Sequence, residues 1–245
     1  MKIAFAEDNP ILKQAIAKTN TEAIYAPDLE SACAKVTAGE AQALIAGIDY
    51  TSRDVILACR DYLGMTGTTF SSSFVMKKAD TTFILADAAT CKHPTEDQLY
   101  DIVLQTYATA SKLLDTPKIA LLSFSTLGSG GHDDTMTLIQ NVVQRVRTEH
   151  LNVLIDGELQ LDAAVNPTVA SKKAPHSRVA GQANILICPD LNSGNILYKS
   201  LEQFGGFTAA GPILQGFNYP ASDLSRGSTV EDVVEVIHAL EQIKR

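Results

Sequence analysis

The chain has 245 residues, a formal net charge of −8, 45% apolar residues and 6% aromatic ones. That balance supplies enough apolar side chain for a real core and argues against wholesale disorder. The acidic surplus argues against general nucleic-acid binding, and an anionic small ligand requires the few arginines to be concentrated locally.

No apolar run approaches the ~20 residues of a membrane span. The opening "MKIAFAEDNP" lacks a signal-peptide layout. Cys33, Cys59, Cys91 and Cys188 are scattered with no CxxC pair. That argues against a disulfide framework or a zinc site and suits a reducing cytoplasm.

"KIAFAE" predicts a strand and "PILKQAIAKTN" a helix with Pro10 in its first turn. "DLESACAKVTAGE" predicts a helix capped by Asp28 or Ser31, "AQALIAGID" a strand, and "SRDVILACRDYL" a helix. "TTFSSSFVM" and "TTFILADA" predict two strands of a hairpin joined by "KKAD". A long helix, "PTEDQLYDIVLQTYATASKLL", precedes the buried strand "KIALLSFS". Then follow the helix "DDTMTLIQNVVQRVRTEH", the strand "NVLIDGELQ", the strand "ANILICPD" and the helix "SGNILYKSLEQF". "AAGPILQGF" is the last strand and "TVEDVVEVIHALEQIKR" the last helix. Unbroken apolar strands alternating with helices predict an α/β fold with a largely parallel sheet, the hairpin excepted.

In open α/β sheets, ligands bind beyond the carboxyl ends of strands. The segments there are "STLGSGG", "DGELQLD", "PDLNSGN" and "NYPASDLSRGS". The glycine turn is neither a Walker loop nor a dinucleotide fingerprint; it is a flexible turn or a place where phosphate meets backbone N–H groups. "PDLNSGN" reads as a helix start capped by Asn192 or Ser193. Asp156 and Glu158 share a strand face, as a carboxylate pair, a metal site or, the better reading, structural hydrogen bonding. His132 reads as a general base or, the better reading, a solvent-facing loop histidine. His176 and Arg178 sit in the basic surface loop "SKKAPHSRVAG", His93 belongs to a helix entry, and no G-x-S-x-G elbow supports a hydrolase triad.

Ser228 or Thr229 is placed to cap the last helix; with Thr229 as the cap, Asp232 falls in capping-box spacing, Asp standing for the usual Glu or Gln. A cap explains Asp232 without any chemistry. It does not explain Arg226, a cation ahead of a helix N-terminus, where the dipole disfavours it. An anion shared between the guanidinium and the helix N–H groups does.

These segments carry a family pattern. "LLSFSTLGSG", "IDGELQLDAAVNP", "KAPHSRVAGQANILICPDLNSGNILYK" and "GPILQGFNYPASDLSRGSTVEDVV" are similar to the phosphate acetyltransferase and phosphate butyryltransferase family. The opening "KIAFAEDNPILKQAI" and "SSSFVM…FILADAA…HPTEDQL" fit as well. The resemblance implies a two-domain fold of the isocitrate and isopropylmalate dehydrogenase type with a central cleft. Its first domain would comprise 1–65 plus 218–245 and its second 66–217.

The implied reaction is acyl transfer between coenzyme A and inorganic phosphate. Carried over, Asp232 is the base for the CoA thiol, Ser225 bonds the reacting carbonyl or thiol region, and Arg226 binds phosphate or acyl phosphate. Substrate contacts are expected from Thr51, Ser52, Arg53, Arg60, Ser125, Thr126, Gly128, Asn192, Ser193, Gly194 and Asn195. Coenzyme A is a substrate, no tightly bound cofactor or metal is implied, and a cytoplasmic homodimer is expected.

The first half departs from the family. It is shorter between "KIAFAEDNPILKQAI" and "AQALIAGIDYTSRD", and one early active-site arginine has no counterpart. A second family arginine aligns with Leu57, flanked about one helical turn away by Arg53 and Arg60. Three readings follow: a short phosphate acyltransferase, an acyl-transfer enzyme of different specificity, or a catalytically weak or inactive homologue that binds CoA-like or phosphate ligands.

Overall fold

The computed structural model describes residues 1–244. The chain forms two compact units, one from Met1–Val75 with the chain from Thr208 onward, the other Met76–Phe207.

In the first unit, β1 (Lys2–Phe5), β2 (Glu22–Tyr25), β3 (Ala43–Ala46) and β10 (Ala221–Asp223) run parallel, with β10 antiparallel to β9 (Thr208–Gln215). Their order is β2-β1-β3-β10-β9, followed by β4 (Ser71–Lys78), which runs across the unit boundary. Ile3, Ala4, Phe5 and Ala43 to Ala46 have no exposure, as strands covered on both faces require. β9 belongs to this unit because it pairs with β10. Helices α1 (Pro10–Ala17), α2 (Leu29–Thr37), α3 (Ser52–Ala58) and α9 (Val230–Lys244) surround the sheet. Buried Val233, Val236, Ile237 and Leu240 recur at helical spacing along α9, which packs on β9 and α1.

In the second unit the order is β5-β8-β6-β7, with β5 at Thr81–Ala86, β6 at Lys118–Leu122, β7 at Leu154–Leu159 and β8 at Ile185–Ile187. The pairings β5–β8, β6–β8 and β6–β7 are parallel. Its helices are α4 (Glu96–Ala110), α5 (Asp134–Glu149), α6 (Leu161–Val165), α7 (Pro167–Lys173) and α8 (Leu191–Gln203). The result is an α/β fold on a mixed sheet.

Several local expectations are corrected. β2 and β10 were not predicted, because four half-exposed residues and three residues after a proline carry no periodic signal. α3 runs on into a π turn, Cys59–Leu63, closed by Gly64 N–H donating to the Cys59 carbonyl at 3.2 Å. α6 and α7 were not predicted; Asn166 caps α7 and Pro167 sits at its first position, both legible start signals. The cap of α8 is Asp190, whose carboxylate accepts from Ser193 N–H at 2.8 Å, and not Asn192 or Ser193. The expectation that the last helix includes Arg245 lies outside the described residues. No helix among them is long and apolar enough to cross a membrane.

Candidate functional site

In the first unit the polar residues gather where β1, β3 and β10 end. Glu7, just beyond β1, is buried, and its carboxylate accepts from the backbone N–H of Gly47 at 2.6 Å and of Ile48 at 3.2 Å. Gly47 has φ +118°, and a Cβ there would lie 2.5 Å from Asp223 Oδ1 and from the Leu224 carbonyl. Only glycine allows this approach. Leu224 N–H donates to the Ala46 carbonyl at 2.6 Å, so β10 hands the chain to the Ser225–Thr229 loop at a fixed point.

Ser225, Arg226 and Gly227 are exposed. Ser225 shapes the turn, its Oγ accepting from Gly227 N–H at 3.2 Å and its carbonyl from Ser228 N–H at 2.9 Å. Arg226 makes no ion pair among the described residues, which leaves a cation at the head of α9. Asp232 closes a capping box: its Oδ2 accepts from Thr229 N–H and from the Thr229 hydroxyl, both at 2.8 Å, while Asp232 N–H donates to Thr229 Oγ1 at 3.2 Å. All three bonds leave Oδ1 of Asp232 outside the cap.

Thr51 caps α3, its hydroxyl donating to Asp54 Oδ2 at 2.6 Å and accepting from Asp54 N–H at 3.2 Å. Ser52 and Arg53 lie in the first turn. The Ser52 hydroxyl faces the Asp223 carboxyl group and favours its ionised form. Arg60 sits in the π turn and donates to Asp61 Oδ1 at 2.7 Å, an exposed pair. Arg53 makes no ion pair among the described residues. The two arginines thus differ, one already partnered and one free.

In the second unit the glycine turn after β6 is built around Glu158, which has no exposure. Glu158 Oε1 accepts from the Ser125 hydroxyl at 3.1 Å and from Gly128 N–H at 2.5 Å, and Oε2 from the Gln140 amide at 2.9 Å. Burial pushes the Glu158 carboxyl up, but the bonds from Gln140, Gly128 and Ser125 outweigh it and hold it below the usual range. Ser125 Oγ accepts from Gly130 N–H at 2.8 Å, and Thr126 and Gln160 bond reciprocally through Thr126 Oγ1. The turn is therefore a fixed structure. Asp156 has different partners, Arg147 Nη2 at 2.8 Å and Gly157 N–H at 2.9 Å. The two carboxylates are separately employed, and no cluster of three or more metal-ligating side chains occurs among the described residues.

Ser193, Gly194 and Asn195 anchor the start of α8. The Ser193 hydroxyl donates to the Asp190 carbonyl at 2.9 Å, and the Asn195 amide to the Ala88 carbonyl at 3.2 Å. Asn192 is exposed in the same turn. A Cβ on Gly194 would lie 2.1 Å from the Asp87 carbonyl oxygen, backbone that cannot yield. Gly194→Ala therefore destabilises the protein by about 2 kcal/mol, read as a lowered urea midpoint; a variant as stable as the parent removes this packing role.

Glu7, Gly47 and Asp223 were not singled out from the sequence. Glu7 follows an apolar strand directly, a usable signal; Asp223 sits in a strand too short to detect. The buried cysteines are poor nucleophiles: burial pushes Cys33 up to about 11 and Cys188 up to about 12.

The family model described as phosphate acetyl/butaryl transferase matches residues 11–240. The chain is 48% identical to a phosphate acetyltransferase of Clostridium acetobutylicum over 155 residues, 63% of this chain and 46% of that one. It is 41% identical to a phosphate acetyltransferase of Treponema pallidum over 207 residues, 80% of this chain and 62% of that one. The matches thus span about half to three-fifths of these relatives' lengths. A solved phosphotransacetylase from Streptococcus pyogenes is similar over 100% of this chain and 94% of its own, with a TM-score of 0.88 at 29% identity.

Proposed function

Because the chain belongs to the phosphate acetyl/butaryl transferase family, we propose that it moves an acetyl or other short acyl group between coenzyme A and inorganic phosphate. The observation that carries this reading is the loop from Ser225 to Asp232. It presents a hydroxyl, a guanidinium without an ion pair among the described residues, and a carboxylate oxygen outside its helix cap within eight residues.

Asp232 takes the proton of the CoA thiol, since the thiolate is the nucleophile. The thiolate attacks the acyl carbon, the C–S bond forms, and the bond from carbon to the phosphate oxygen breaks. Phosphate leaves with the electron pair, and the proton passes from Asp232 to solvent or to phosphate. Arg226 neutralises the phosphoryl charge, and Ser225 donates to the reacting carbonyl oxygen. Thr51, Ser52 and Arg53, with Arg60 as the alternative cation, contact substrate in the first unit. Ser125, Thr126 and Gly128, with Asn192, Ser193, Gly194 and Asn195 at the head of α8, do so in the second. The same reading includes the two-domain fold of the isocitrate and isopropylmalate dehydrogenase type, a cytoplasmic homodimer, CoA as a substrate and no tightly bound cofactor.

The test is thioester formation, followed by absorbance, from CoA and acetyl, propionyl or butyryl phosphate. Turnover with at least one is expected. None with all three, while calorimetry detects CoA binding, replaces the enzyme with a ligand-binding homologue.

A further inference from the structure

Asp223 is the last residue of β10, two before Ser225 and three before Arg226. It is 3% exposed, and its Oδ1 is a buried side-chain oxygen with no hydrogen-bond partner among the described residues. Buried polar atoms are almost always bonded, and a buried charge without donors is costly. The space that would hold a donor is taken by Gly47, whose backbone approaches so closely that a single added carbon would sit 2.5 Å from Oδ1.

The groups facing Asp223 do not supply the missing donor. From α3 comes the Ser52 hydroxyl, which favours the ionised form, and from beyond β1 comes Glu7, a like charge that disfavours it. From the π turn comes Cys59, a buried thiol pushed up first by burial, then by Cys33 and by Asp223. Glu7 is engaged with the N–H groups of Gly47 and Ile48. Burial is the largest influence on Asp223 and pushes its carboxyl up to about 6.

We propose that Asp223 is a positioning residue that couples anion binding at the Ser225–Arg226 loop to a proton. With the carboxyl group protonated, Oδ1 needs no charged partner and the β10 end holds the loop as described. With it ionised, Oδ1 must draw in water, the junction at Gly47 and Leu224 loosens, and a negative charge stands three residues from Arg226. Both effects weaken anion binding as pH rises. The anion's place at Arg226 rests on the proposed function; the coupling itself is read without turnover.

Sulfate is the probe, because it keeps one charge state across the range. Calorimetry on the full chain is expected to show sulfate affinity falling about tenfold between pH 5 and 7.5, with a midpoint near 6. Asp223→Asn, uncharged and of the same shape, is expected to bind sulfate equally at both ends, near the parent's acid-side affinity. Absence of sulfate binding by the parent, absence of the midpoint, or its survival in Asp223→Asn overturns the proposal. Carbon-13 titration of the Asp223 carboxyl in the unmodified protein keeps the test open if the variant fails to fold; a carboxyl that titrates near 4 also overturns it. Arg226→Ala separates the two readings. Loss of sulfate binding supports both, whereas sulfate binding that keeps its midpoint supports the coupling and removes Arg226 as the anion's seat.

Discussion

Asp232→Asn lowers turnover by roughly 10²–10⁴-fold, the usual worth of a positioned proton acceptor, while the melting temperature stays close to that of the parent. The two roles of Asp232 separate because they use different chemistry. As a cap, it needs one oxygen able to accept from the Thr229 N–H and hydroxyl, which now reach Oδ2 at 2.8 Å. An asparagine carbonyl does this equally well. As a base, it needs a carboxylate, which the amide cannot replace. Asp232→Ala removes both functions and adds a capping loss of about 1 kcal/mol. Thioester absorbance gives the rate and scanning calorimetry the melting temperature. An asparagine variant that turns over at the parental rate leaves Asp232 a helix cap and nothing more.

That duality was legible in the sequence, whereas the setting of Asp223 was not, and the difference is physical. Capping is local: Thr229 and Asp232 are three residues apart, so spacing alone brings them together. The same holds for Thr95 and Gln98, whose reciprocal bonds at 3.0 and 3.3 Å open α4. The apolar runs of β1 and β3 and the Val233–Leu240 stripe of α9 are periodic signals and gave the α/β class. β10 exists only because β3 and β9 flank it. Three residues hold no period, so nothing near Asp223 in the chain announces that Gly47 and Ser52 will enclose it.

The α8 start shows the intermediate case. Hydroxyl and amide side chains at Asn192 and Ser193 made either a fair cap by type. The cap oxygen reaches an N–H two or three residues ahead, and Asp190, reaching Ser193, occupies that place. Residue type located the helix start, and geometry moved the cap. At Asp156 and Glu158, likewise, spacing put two carboxylates together, but their separate partners come from α5 and from the glycine turn.

Those partners make Glu158→Ala the largest expected stability loss, roughly 3 kcal/mol. Truncation removes the acceptor for the Ser125 hydroxyl, Gly128 N–H and the Gln140 amide at once. Gln140 is exposed and rehydrates, but Ser125 has no exposure and its hydroxyl is stranded. Leaving such a donor unsatisfied costs about 1–3 kcal/mol, and the vacated side-chain volume adds to it. Glu158→Gln is far milder, because its carbonyl still serves Ser125 and Gly128 while Gln140 turns its amide to accept.

The pH dependence gives a second check. The folded carboxyl of Glu158 is held below the ordinary value, so its stabilising contribution is present above the unfolded pKa of about 4.3. It is lost as pH falls through the lower folded value. The parent therefore loses stability in acid that Glu158→Gln does not lose through this group. Urea unfolding of all three forms at pH 7 and pH 3.5 measures both effects. If Glu158→Ala is as stable as Glu158→Gln at pH 7, the carboxylate does not hold the turn, and Ser125, Thr126 and Gly128 owe their arrangement to the backbone alone.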